Sequence, residues 1–251
     1  MRFKLGRPPH GWSTLAWEAG VVVVGVLIAL GAQQIADNLY WQGQAAQAQN
    51  NIKQELLEHE KDSYERLAIQ PCLRGQLAAL SARLADTDGH WKAMPMTVMP
   101  TGVTNVSMKV IPTAYRAPER SWLDEAYKTA QATGALNHLP DAVVADYARA
   151  YQLSRLAMVL QFAEEDAAAQ LSPLAVDGVV SPDARLDFFA ALSRVDHANS
   201  YLENDSRQEA LILNRLLKDV PVATRQAGVN ESINVQRKFR GPCVLLLELR
   251  P

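Results

Sequence analysis

The sequence predicts an all-α protein: a transmembrane helix continues into an amphipathic stalk, and a helical bundle with one proline-rich irregular loop follows. The first observation is a single long apolar run at residues 15–36, which reads LAWEAGVVVVGVLIALGAQQIA. The second is a composition rich in Ala, Leu, Gln, Glu and Arg, which favours helix. The third is the distribution of proline, which is absent from residues 33–69 and frequent in residues 90–118.

The first element is a transmembrane helix, which we predict over residues 13–40. Crossing a hydrocarbon core of about 30 Å takes about 20 mostly apolar residues, so the flanks must extend the uninterrupted run at 19–32. Trp17 and Tyr40 would lie roughly 35 Å apart on a helix, which suits two aromatic belts. Glu18 is interpreted as a hydrated interfacial residue near the helix N-terminus, or alternatively as a partner for a basic group on a neighbouring subunit. The expected interfacial residues are Trp12, Trp17, Glu18, Tyr40 and Trp41.

The orientation of this helix follows from the basic residues that precede it. Arg2, Lys4 and Arg7 come before the first acidic residue of the chain. The positive-inside rule then places residues 1–12 in the cytoplasm and residues 41–251 on the outer side of the membrane. The alternative is a cleaved signal peptide, which would export the same domain; Glu18 at the head of the apolar run argues against it.

Small residues form a stripe along the predicted membrane helix. Their spacing of three or four residues lets helices approach closely in lipid, so self-association is a hypothesis beside the plain reading that small residues are common in such helices. The stripe consists of Gly25, Ala29, Ala32 and Ala36.

Charge and cysteine usage restrict the function. The net charge of −2 comes without a basic block, so no nucleic-acid partner is expected. Cys72 and Cys243 stand alone, without the spacing of metal ligands, and no metal or other cofactor is expected. In an oxidising compartment they would form one disulfide; the alternative is two buried free thiols.

The amphipathic stalk is expected to pack on its own domain rather than form a long coiled coil. His59 is interpreted as a surface or packing residue because no second ligand lies at metal spacing. Pro71 predicts a kink or a new helix start, followed by a short helix that ends at the polar residues 86–89. The apolar side of the stalk is formed by Ala48, Ile52, Leu56 and His59.

Residues 90–118 form the irregular, proline-rich loop. Val and Thr are frequent at 97–110, which predicts a small hairpin. Long connections of this kind are often functional, so a binding surface is expected here.

The second half of the chain is expected to be helical at residues 119–133, from about 140 to 170, and from the Ser181–Pro182 cap onward, with a bend or split near 203–205. Residues 221–233 are predicted to be a loop, and residues 244–249 a strand or a packed tail. A stripe on the 140–170 helix is expected to face the core; it consists of Val144, Tyr147, Tyr151, Met158 and Phe162.

Four features together resemble a group of uncharacterised membrane-anchored proteins seen mostly in sphingomonad-like proteobacteria. They are WEAGVVVVGVLIAL near the N-terminus, IQPCLRGQL around Cys72, YRAPERSW at 115–122, and the late Cys243. The resemblance implies an inner-membrane anchor, a helical periplasmic domain and a Cys72–Cys243 bridge. It implies no catalytic residue.

The YRAPERSW segment has two interpretations. Arg and Trp are frequent interface anchors, so Tyr115, Arg116, Arg120 and Trp122 are candidate residues for binding an acidic partner. The other interpretation is a loop fixed to the bundle, with Trp122 buried and the arginines paired to Asp124, Glu119 or Glu125.

The sequence predicts a non-enzymatic structural or accessory subunit of a membrane complex, whose partners are lipid and either other membrane proteins or copies of itself. It contains no GxSxG, HExxH, SxxK, P-loop or GxGxxG pattern in a suitable context. The alternatives are an envelope ligand sensor that signals through a partner and, less favoured, an envelope enzyme.

Overall fold

The computed structural model describes residues 11–94 and 113–249, and these residues form an all-α fold. Two short strands, β1 (His90–Trp91) and β2 (Gly178–Val179), pair in antiparallel fashion. The hairpin expected at 97–110 lies outside the described residues, as does the side chain of Trp12. The helices are α1 (Gly11–Asp86), α2 (Glu125–Ala132), α3 (Asp141–Ala169), α4 (Pro182–Leu216) and α5 (Val222–Arg240).

Helix α1 runs without interruption for 76 residues, from the apolar segment to the far end of the domain. The expectation that Pro71 starts a new helix is therefore wrong. A proline has no backbone N–H, so it removes one hydrogen-bond donor from the helix. Three residues before Pro71, the carbonyl of Ala68 accepts a hydrogen bond of 2.9 Å from the amide of Leu245 in the C-terminal tail. The tail at 244–249 thus packs on α1 where the proline weakens it.

In the described part of the chain, α1, α3, α4 and α5 form the bundle. Glu55 contacts Tyr151 and Arg66 contacts Glu164, so α3 runs parallel to α1. Helix α4 runs antiparallel to α3, since its late residue Arg215 pairs with the early Asp146 of α3. Helix α5 returns parallel to α1.

Several helix boundaries differ from those expected. Helix α2 begins at Glu125 instead of residue 119, and α4 continues through 203–205 without a split. The Ser181 cap is confirmed, since its hydroxyl accepts the amide of Ala184 at 3.1 Å. The loop predicted at 221–233 is wrong, because residues 222–233 belong to α5.

Among the described residues two large hydrophobic cores lie at different heights along α1, beside a small cluster of Trp122, Ala157 and Leu202. The lower core surrounds Ile52 and Leu56 and includes Tyr147 and Tyr151. The upper core surrounds the stretch of α1 at 68–84. Below both cores, residues 21–40 of α1 expose their apolar side chains. This is the one segment of the described residues long and apolar enough to cross a membrane.

Candidate functional site

A layer of buried polar side chains separates the two cores. It occupies three turns of α1, where six polar residues are at most 5 % exposed: His59, Glu60, Ser63, Glu65, Arg66 and Gln70. Helices α3, α4 and α5 surround this stretch, so its polar groups depend on partners inside the protein. Gln70 is the exception, since neither of its amide atoms has a hydrogen-bond partner among the described residues.

The centre of the layer is the ion pair between Arg66 and Glu164. The guanidinium donates two hydrogen bonds of 2.8 Å to the carboxylate and a third, of 2.7 Å, to Asn199. The Tyr115 hydroxyl donates to the same carboxylate at 2.7 Å. Burial, followed by the charge of Glu164, raises the pKa of Tyr115 well above its ordinary value, so the phenol stays neutral.

Two further arginines bind carboxylates of α1 within the layer. Arg225 of α5 binds Glu60, and both side chains are buried. Arg120 binds Glu65 at 2.5 Å and approaches Asp62 at 3.3 Å. Arg120 was expected to pair with Glu119, Glu125 or Asp124, but its carboxylate partners lie on α1.

The YRAPERSW segment is fixed to the bundle by these contacts. Tyr115 and Trp122 are buried, and Arg120 is paired within the chain. The carbonyl of Arg116 accepts a hydrogen bond of 2.9 Å from Arg240. Three of the four candidate partner-binding side chains thus make contacts inside the domain, which favours the interpretation of an anchored loop.

His59, Ser154 and Glu209 form a buried cluster that has the composition of a catalytic triad without its geometry. His59 Nε2 lies 2.8 Å from the Leu123 carbonyl, and the Ser154 hydroxyl donates to Glu209 at 2.7 Å. Both Ser154 Oγ and Glu209 Oε1 face His59 Nδ1, at 2.9 and 3.5 Å. In a triad the histidine stands between the nucleophile and the acid, and the nucleophile is open to substrate. This cluster instead joins α1, α3 and α4.

The raised pKa of His59 is consistent with a structural role in joining the three helices. Burial by itself lowers its pKa, but the hydrogen bond and charge of Glu209 and the bond to Leu123 outweigh that effect and raise the pKa above 6.5. With Ser154 donating to Glu209, an imidazolium donates from both ring nitrogens and leaves neither unpaired.

An open cleft lies on the outside of the layer, between residues 119–131 and the outer face of α3. Its volume is about 730 Å³. Trp122 and Tyr127 form one wall, and the opposite wall includes Met158 and Phe162. Met158 and Phe162 are 37 % and 53 % exposed, so the expectation that they face the core is wrong.

The buried face of α3 explains this difference. Beyond Tyr151 the buried side chains are the polar Ser154, Gln161 and Glu164, which join the polar layer, and the small Ala157 and Ala167. The larger apolar side chains of Met158, Val159 and Phe162 are exposed instead. The signal in the sequence was the polar character of α1 between Leu56 and Ala68, since a polar stretch on a central helix requires polar residues opposite it.

The remaining candidate residues lie on α1 and at the far end of the domain. Trp17, Glu18 and Tyr40 are exposed on α1, as is the stripe of Gly25, Ala29, Ala32 and Ala36. Self-association through the stripe stays a prediction. Cys72 and Cys243 form a disulfide, with Cα atoms 5.2 Å apart, and tie α1 to the tail. Among the described residues no group of three or more His, Cys, Asp or Glu could hold a metal ion.

Comparisons with protein-family models, with curated proteins and with solved structures give no significant match for this chain.

From the buried carboxyl groups in and beside the polar layer we predict that the free energy of unfolding falls as the pH rises. Burial raises the pKa of Asp62 and of Asp205 from 3.8 to about 7; Arg120 opposes the shift at Asp62, whereas Glu209 adds to it at Asp205. Between pH 4 and 7 the folded chain therefore holds protons that the unfolded chain has lost, so stability decreases over this range and levels off above it. Each shift corresponds to at most about 4 kcal/mol. His59 acts in the same direction, because its raised pKa adds stability below pH 6.5 that is lost on deprotonation.

We expect full-length protein in detergent to melt at a higher temperature at pH 5.5 than at pH 8. Asp205→Asn should reduce this difference by raising the melting temperature at pH 8, since it removes a buried charge beside Glu209. The control is Asp196→Asn, at an exposed position of the same helix. An unchanged pH profile in Asp205→Asn would refute the assignment.

Proposed function

We propose that the protein is a single-span inner-membrane protein whose helical periplasmic domain serves as a non-enzymatic accessory subunit of a membrane complex. The observation that carries the anchor is the contrast along α1. Residues 21–40 expose valine, leucine and isoleucine on every side, whereas Ala45 and Ile52 are buried in the domain. Exposed apolar surface on this scale is unfavourable in water and favourable in lipid.

Two features support the periplasmic side for the domain. The basic residues Arg2, Lys4 and Arg7 precede the apolar segment, which favours a cytoplasmic N-terminus. The Cys72–Cys243 disulfide lies on the other side of that segment, and disulfides persist in oxidising compartments such as the periplasm.

The accessory role is supported by the outer face of α3. Leu123, Met158 and Phe162 are exposed and line the cleft, and Val159 is exposed next to Met158 on α3. A contiguous apolar patch of this kind, rimmed by charged residues such as Lys128 and Arg155, is typical of a protein-interaction surface. In this proposal the buried polar layer has a structural task, which is to hold that face against α1.

The test is native mass analysis of the full-length protein extracted from its own membranes in mild detergent. We expect a stoichiometric second membrane protein, and we expect Phe162→Asp to reduce its recovery at least fivefold, since a charge then enters the apolar patch. Leu186→Asp is the matched control, because Leu186 is an exposed leucine on α4 that does not line the cleft. Equal recovery with both variants, or a chain that runs alone, would contradict the accessory role.

The cleft also supports a second candidate, an envelope ligand sensor acting through a partner. Its volume of about 730 Å³ falls in the range of roughly 300–1,000 Å³ that small-molecule sites occupy. A protein that runs alone in native mass analysis but carries a bound small molecule, lost in Phe162→Asp, would favour this candidate.

A further inference from the structure

The height of the domain above the membrane follows from α1, because the helix has no break between the apolar segment and the bundle. Asp37 is unfavourable in the hydrocarbon core, so the core ends at or before residue 36. At 1.5 Å per residue, Trp41 lies about 7.5 Å beyond that point. The headgroup layer is roughly 5–7 Å thick, so Trp41 lies at its outer edge.

The domain reaches down to the same level. The imidazole of His138 stacks on the indole of Trp41, with ring centroids 4.4 Å apart and planes inclined by 14°. His138 ends the 3₁₀ turn Ala135–His138, and Leu139 and Pro140 connect it to α3. We call residues 135–140 the basal turn. Despite its length, α1 therefore has no free stalk between the membrane and the domain.

The basal turn packs against α1. Ala135 and Leu136 are buried in the lower core with Ala48 and Ile52. The outward side chains of Asn137 and His138, together with Pro140, remain exposed. A turn fixed at this height presents an amide and an imidazole to the headgroup layer.

We propose that the basal turn is a lipid-contact site, at which Asn137 and His138 hydrogen-bond to phospholipid headgroups and set the domain directly on the bilayer. This inference rests on the proposed membrane anchor. No lysine or arginine occurs at 134–142 or at 37–44 of the adjoining stretch of α1, and Asp37 and Asp141 are acidic. The contact therefore suits zwitterionic headgroups and gains nothing from anionic ones.

The test uses a bimane fluorophore on a single added cysteine, which is practical because both native cysteines are in the disulfide. Full-length Asn137→Cys is placed in phosphatidylcholine vesicles that contain a headgroup-nitroxide lipid. Quenching requires contact between the dye and the nitroxide, and nitroxides in both leaflets make the direction of insertion irrelevant. Ala142→Cys, at an exposed site in the first turn of α3, gives a second reading if the first variant folds poorly.

The control is Ala85→Cys, at an exposed site on α1 roughly 66 Å farther along the helix than Trp41. We expect quenching at 137 and 142 to exceed that at 85 at least threefold, with no increase when a quarter of the lipid is anionic. Quenching at 137 and 142 equal to that at 85, or quenching that appears only with anionic lipid, would overturn the inference.

Ile28→Cys with an acyl-chain nitroxide separates this inference from the anchor on which it rests. Ile28 is exposed in the middle of the apolar segment. Strong quenching there, without quenching at 137 or 142, would leave the anchor intact and remove the lipid-contact site. The absence of quenching at position 28 would contradict both the membrane anchor and the lipid-contact site.

Discussion

Replacing Arg66 with methionine is expected to lower the free energy of unfolding by about 3–5 kcal/mol, because it leaves a buried carboxylate without its cation. Glu164 is 1 % exposed and would keep only the Tyr115 hydroxyl as a partner. Asn199 would lose its 2.7 Å hydrogen bond at the same time. The measurement is urea unfolding of the full-length protein in detergent, followed by tryptophan fluorescence.

Two variants make this prediction specific. Arg149→Met replaces an exposed arginine of α3 and should change stability by less than about 0.5 kcal/mol. The double variant Arg66→Met with Glu164→Gln should lose less than the sum of its single changes, since a neutral amide still accepts the Tyr115 proton and needs no cation. A loss below 1 kcal/mol in Arg66→Met would show that the pair is more hydrated than the structure indicates.

The sequence predicts the fold class because its strongest signals are local. The apolar run and the absence of proline at 33–69 specify a long first helix, and Ser181 followed by Pro182 specifies the start of α4. Each of these features determines the structure of only the few residues around it. Their outcome does not depend on what packs against them.

Helix α5 was missed because tertiary packing decides its structure. Valine, threonine, asparagine and glycine in residues 222–234 have weak helix propensity, which predicts a loop. Val229 and Ile233 are nevertheless buried, and Arg225 pairs with Glu60 of α1. Gly228 lies close to α1, since a Cβ there would lie 2.7 Å from Lys61 Cε and would displace that flexible side chain.

The polar layer was missed for a related reason. Neighbouring charges on one helix are normally solvated, and only the arrangement of α3, α4 and α5 shows that those of α1 are enclosed. Their partners lie far away in sequence: Arg66 and Glu164 are 98 residues apart, and Glu60 and Arg225 are 165 apart. Hydrophobic periodicity carries no information about such pairings.

Removing the disulfide is expected to have the other large effect. Cys72 and Cys243 are 171 residues apart. Closing a loop of that length lowers the entropy of the unfolded chain, which stabilises the folded state by about 5 kcal/mol in the chain-entropy treatment; measured values are often smaller. The loss of stability should extend to the tail at residues 244–249. The amide of Leu245 donates to Ala68, and the tail also bonds to Gln226 through the Leu247 carbonyl and the Leu249 amide.

Full-length Cys72→Ala with Cys243→Ala should therefore unfold at a lower urea concentration and exchange the amide protons of Leu245 and Leu249 faster. The wild-type protein treated with reductant is the matched comparison, because it loses the bond but keeps both side chains. The two should lose similar stability, since replacing cysteine by alanine removes little buried volume. If reductant leaves the unfolding midpoint and the exchange of Leu245 unchanged, the tail is held by packing and hydrogen bonds alone. If only the double variant is destabilised, the cysteines contribute through packing in the upper core instead of through the disulfide.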